Sequence, residues 1–117
     1  MARPYNETGF SQAKPRDQTC DNLVNFVKPL VELESGHPYK QFSCVHYMEK
    51  PTYGTNYKVK VETDRDYLHL HLYTPPVGEA QVNLIERGRR YEDDLAIPFD
   101  LRSITSSLKA GSFYNYS

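Results

Sequence analysis

Two histidines two residues apart, His69 and His71, are the first candidates for chemistry in this chain. On a β-strand such residues share a face, so both imidazoles can reach one zinc ion. Zinc needs further ligands, and only His46 or a carboxylate on a neighbouring strand is on offer. The closed ligand set is missing, and the expectation is an exposed polar face with no metal and no other cofactor. Cys20 or Cys44 with His37 or His46 would make a thiol–imidazole nucleophile pair. Both cysteines lie in apolar-patterned segments with no local basic activator, so buried, inert side chains are expected. Glu86, Glu92, Asp93 and Asp94 offer carboxylates, but they mix with Arg87, Arg89 and Arg90, the pattern of a solvated face or turn. Gly78 and Gly88 stand alone and form no phosphate loop. Nothing here assembles an enzyme.

The elements that must position these residues follow from periodicity. Residues 1–16 read as an irregular arm, punctuated by Pro4, Gly9 and Pro15. From about Asp17 a helix is expected, capped by Asp17 or Thr19. Cys20, Leu23, Val24, Val27, Leu30 and Val31 fall on one of its faces. Pro29 predicts either a bend or a helix sustained by packing on a sheet. Ser35-Gly36-His37-Pro38 ends it. Gln41 to Tyr47 reads as a strand with imperfect alternation. Tyr57, Val59 and Val61 alternate with Lys58, Lys60 and Glu62, a half-buried strand. After the turn Thr63-Asp64-Arg65-Asp66, Leu68, Leu70 and Leu72 alternate with Tyr67, His69, His71 and Tyr73. Beyond the loop Thr74 to Gly78, Val82 and Leu84 begin a weaker strand that the charged run Glu86 to Asp94 interrupts. Leu95 to Leu101 can form a last short strand.

One helix followed by successive antiparallel strands predicts an α+β fold, a helix across a meander sheet of four to five strands. Its leucine and valine faces should meet the helix, and its His/Tyr and Lys/Glu faces should meet water. The domain is expected over residues 17–101, with a loose Ser-rich tail over 102–117.

With 117 residues the chain can bury a core without staples. A net charge of −1 offers no attraction to nucleic acid or an anionic membrane. The first residues lack the apolar stretch of a signal peptide, and no apolar run can span a bilayer. The expectation is a cytoplasmic protein whose two cysteines stay reduced.

The loops carry a further signal. Gly54-Thr55-Asn56-Tyr57 before Lys58-Val59-Lys60-Val61 resembles the stretch leaving the first inhibitory hairpin of the stefins, where Gly-Thr-Asn-Tyr follows Gln-Val-Val-Ala. Gly9-Phe10-Ser11-Gln12-Ala13-Lys14-Pro15 looks like the stefin arm, and Val27-Lys28-Pro29-Leu30-Val31-Glu32 is similar to the middle of the stefin helix. Tyr67-Leu68-His69-Leu70 and Asp93-Asp94-Leu95 followed by Phe99 fit the later strands. The resemblance covers roughly residues 8–100 and implies the cystatin fold.

It also implies a reversible inhibitor of papain-like, cathepsin-type cysteine proteases. Stefins occlude the cleft with the arm and two hairpin loops aligned along one edge. Carried over, the protease-binding residues are Thr8 and Gly9 in the arm, Lys50, Pro51, Thr52, Tyr53 and Gly54 in the first loop, and Pro75 and Pro76 in the second. In the first loop only Gly54 matches the family. Lys50 stands where Gln is usual, Pro51 and Thr52 where two valines are usual, and Tyr53 where Ala is usual; Thr8 aligns with the family's inhibitory glycine. These departures define a second expectation, a stefin-fold interaction protein whose inhibition is weakened or lost. A monomer is expected, with exchange of the first hairpin giving a swapped dimer as the alternative.

Overall fold

The computed structural model describes residues 9–95. Within them lie β1 (Lys14–Pro15), α1 (Gln18–Ser35), β2 (Phe42–Thr52), β3 (Gly54–Thr63), β4 (Tyr67–Thr74) and β5 (Gln81–Arg89). The strands form one antiparallel sheet in sequential order, β1-β2-β3-β4-β5.

Asp17 starts the helix. Its Oδ1 accepts from the Cys20 amide at 3.0 Å, and its Oδ2 accepts from the Tyr47 hydroxyl at 2.8 Å, so one carboxylate caps α1 and ties it to β2. These hydrogen bonds, from the Cys20 amide first, hold the Asp17 carboxyl below its usual range. Gly36, at φ 83°, ends the helix in the left-handed region and donates its amide to the Glu32 carbonyl. The helix continues through Pro29. The ring deprives the Asn25 carbonyl of its intrahelical donor, but Pro29 and Asn25 both lie on the exposed side, where water can replace it.

Cys20, Leu23, Val24, Val27 and Val31 pack from α1 onto Val59, Val61, Leu68, Leu70, Leu72, Val82 and Ile85 of the sheet, with Leu30 at the margin. The uneven alternation of β2 has a local cause. Its register shifts between Cys44 and His46, so Val45 is an extra residue, and the buried positions pass from Phe42 and Cys44 to Tyr47.

The arm, expected to be irregular up to residue 16, pairs with β2 at Lys14–Pro15 as β1, and three further sequence expectations need correction. The first concerns the cysteines, which are joined to one another as a disulfide between α1 and β2, with Cα atoms 6.1 Å apart. The expectation of reduced thiols rests on the compartment, whereas pairing is decided by geometry that only the helix-on-sheet packing creates. The second concerns β5, which runs through Glu86 and Arg87 to Arg89, because its ladder with β4 continues to Tyr67↔Arg89.

The third concerns the outer face of the sheet. Lys58, Lys60, His69 and Glu86 are buried, Lys60 completely. The chain after β5 folds over this face, and Lys60 Nζ donates to the carbonyls of Arg90 (3.1 Å), Tyr91 (2.6 Å) and Asp93 (2.6 Å). The charged run therefore roofs the sheet instead of forming a separate solvated turn. Leu95, 5% exposed, ends this roof. The rest of the expected strand to Leu101, and the tail over 102–117, lie outside the described residues.

Candidate functional site

β2 and β3 pair as far as Thr52↔Gly54, which leaves Tyr53 alone at the turn of the first hairpin. The β3–β4 ladder reaches Thr55↔Thr74, and the second loop begins at Pro75. Both loops therefore leave the same end of the sheet as neighbours. The Tyr73 hydroxyl donates to the Tyr53 carbonyl, and Thr74 Oγ1 approaches the Thr55 carbonyl at 3.4 Å.

Gly54 is needed on two counts. Its φ is +94°, in the region that side chains rarely adopt, and a Cβ there would lie against the Thr74 carbonyl and 2.7 Å from Tyr73 Oη. The glycine lets the first hairpin press on the strand that carries the second loop.

The arm joins the same end from the other side. β1 runs antiparallel to β2 through Lys14↔Tyr47 and Pro15↔His46, so residues before Lys14 lead toward the hairpin tip. The Ser11 amide donates to the Glu49 carbonyl at 2.8 Å, the Glu49 amide donates to Ser11 Oγ at 3.1 Å, and Lys14 pairs with the Glu49 carboxylate. Phe10 lies 4.8 Å from Lys58 Nζ and 5.9 Å from Lys50 Nζ, within reach of both as cation–π partners. Burial pulls the Lys58 ammonium below its usual pKa, against the attraction of Glu86 and Asp94. Gly9 sits at φ +90°, 3.1 Å between a would-be Cβ and Lys50 Cε.

Of the residues expected to contact a protease, Gly9, Lys50, Pro51, Thr52, Tyr53, Gly54, Pro75 and Pro76 thus gather along one edge, and Thr8 lies outside the described residues. Tyr53 and Val77, at 84% and 89% exposure, are the two most exposed large hydrophobic residues among those described. Phe10 and Tyr73 belong to this edge although neither was among the expected contact residues. The β3–β4 register is what places Tyr73 opposite Asn56 and beside the tip.

His69 and His71 take another role. Both face Glu86 of β5, His69 Nδ1 at 3.7 Å from Oε1 and His71 Nε2 at 3.1 Å from Oε2. Burial pushes the Glu86 carboxyl up, but the contacts with His69 and His71 outweigh it and hold the pKa at about 2. Burial drives the His69 and His46 imidazoles below their usual pKa. Among the described residues, no group of three or more His, Cys, Asp or Glu side chains is arranged to hold a metal ion.

Known proteins share this arrangement of sequence. Cystatin-A2 of Dictyostelium discoideum is 31% identical over 87 residues, covering 74% of this chain and 92% of that protein. Cystatin-A of Felis catus is 30% identical over 91 residues, covering 74% of this chain and 93% of that protein. The chain belongs to the stefin family of type 1 cystatins. Another relative, Leukocyte cysteine proteinase inhibitor 1 of Sus scrofa, is 27% identical over 66 residues, covering 56% of this chain and 64% of that protein. No protein-family model matches the chain. As a stefin it is a non-enzymatic protein with the cystatin α+β fold. Among the described residues no helix is long and apolar enough to cross a membrane.

Proposed function

We propose that this stefin is a reversible inhibitor of papain-like cysteine proteases of the cathepsin type, acting as a monomer. The arm at Thr8-Gly9, the first loop Lys50 to Gly54 and the second loop at Pro75-Pro76 enter the cleft together. The observation that carries the reading is the exposure of Tyr53 and Val77 at the tips of two adjoining loops. Large apolar side chains held out in water gain most from burial in a partner, at about 25 cal/mol per Å² removed from water. Loops anchored on a sheet lose little entropy on binding. A relative, 27% identical over 66 residues, is named Leukocyte cysteine proteinase inhibitor 1.

Tyr53 gives the wedge a ring where the family carries a methyl. As an aromatic anchor at the tip it makes the first loop selective for clefts that can house it. The alternative, a stefin-fold interaction protein that has lost inhibition, is favoured by the same ring and by Thr52, whose hydroxyl needs a partner once buried.

Inhibition of papain and of several cathepsins by the natural protein, beside a Thr52→Val/Tyr53→Ala variant, separates the two. Nanomolar inhibition by the natural protein with a selectivity that the variant lacks is the expected result. An inert natural protein beside an inhibitory variant would establish the alternative.

A further inference from the structure

We infer that Tyr73 is a positioning residue: its hydroxyl latches the first loop to the strand that carries the second, so that the two loops enter a partner as one rigid wedge. The inference rests on the proposed protease-binding role of these loops and adds a residue to it that lies outside the loops themselves.

The tip of the first hairpin has few restraints of its own. Tyr53 is flanked by Thr52 and Gly54, which pair with each other, and the Asn56 side chain donates to Thr52 Oγ1 at 3.1 Å, a contact internal to the hairpin and exposed. Neither ties the tip to anything beyond β2 and β3. The Tyr73 hydroxyl does, by donating to the Tyr53 carbonyl from β4. Tyr73 sits two residues before Pro75, so the same side chain is fixed to the base of the second loop.

Gly54 shows that the approach is built into the backbone. Its would-be Cβ lies 2.7 Å from Tyr73 Oη and 2.9 Å from Tyr73 Cζ, so the phenol occupies space that only a glycine leaves open. The carbonyl it holds belongs to the residue whose ring is most exposed at this tip. Fixing that peptide plane fixes the direction in which the Tyr53 side chain leaves the backbone. A phenylalanine at position 73 would keep the ring and lose only the latch.

The hydrogen bond is exposed, so it contributes little to global stability and appears instead as order that need not be imposed on binding. The test is Tyr73→Phe in the full chain. Amide exchange at residues 52–56 should quicken by about three- to tenfold, while the amides of Val59 and Val61 keep their rates, showing an intact sheet. The inhibition constant against papain should rise by about three- to tenfold. The melting temperature should move by no more than about 2 °C.

Unchanged exchange at the tip would overturn the latch. Faster exchange with an unchanged inhibition constant would overturn the positioning role. If the natural protein inhibits no protease, the functional reading fails separately, and faster exchange in Tyr73→Phe would still establish the latch.

Discussion

The middle of the sheet is buried on both faces, by opposite chemistries. Toward α1, Val59, Val61, Leu68, Leu70, Leu72, Val82 and Ile85 are at most 1% exposed. Toward the roof after β5, Lys60, His69 and Glu86 are at most 2% exposed. The first set needs only shape and volume from its neighbours, because dispersion and burial have no direction. The second set needs named partners at set distances. Lys60 finds three carbonyls, and Glu86 finds two imidazoles. A buried charge without its partner costs far more than a buried methyl without its neighbour. The inner face can therefore answer to volume alone, while the outer face answers to pH as well.

The largest effect should come from the inner face. Leu70→Ala opens a cavity between sheet and helix and should cost about 2–5 kcal/mol in urea unfolding, by nearly the same amount at pH 5 and pH 8. A pH-dependent loss would show that the two faces are coupled through β4. Reducing the Cys20–Cys44 disulfide, which spans 24 residues, should cost about 3 kcal/mol, again with little pH dependence between pH 5 and 7. Thermal unfolding with and without reductant measures it.

The outer face should give the smaller single-residue change with the sharper signature. Glu86→Gln should cost about 1–3 kcal/mol near pH 7, since it removes the negative charge that both His69 and His71 face. The folded-state pKa of Glu86, about 2, lies below its unfolded value of 4.5. Its contribution is thus complete above pH 4.5 and fades as pH falls toward 2. His46 and His69 are also depressed, from 6.5, so they are neutral in the fold and draw protons to the unfolded chain as pH drops below 6.5. Stability should decline in two stages on acidification, and Glu86→Gln should shrink the lower stage, leaving the share of the other depressed carboxyls, Asp17, Asp64 and Asp93. A variant that keeps the full acid limb would remove Glu86 as a source of it.

Much of this architecture is legible locally. Asp17 as cap, the face from Cys20 to Val31, the Gly36 stop and the alternation in β3 and β4 each obey a period or a cap rule, and the structure follows them. The same alternation misled on what covers the other face. A strand with Lys58, Lys60, His69 and His71 on one side reads as half-solvated, because period-two patterning records polarity and not the presence of a roof. The charged run after Arg89 supplies that roof through backbone carbonyls, which every residue carries and no sequence pattern reveals.

The candidate site divides in the same way. The chemistry of the loops, with Gly54 before a β-strand and the proline pair after one, was readable from residue types and from the resemblance to stefins. That the loops stand side by side follows from the pairing Thr55↔Thr74, a relation between residues 19 apart in the chain. Sequence alone determined the helix, the β3 and β4 strands and the apolar inner face, since helix periods, strand alternation and caps are set within a few residues. Only the tertiary structure decided the disulfide, the buried ionic face and the joining of Tyr73 to Tyr53, because each depends on where distant segments meet.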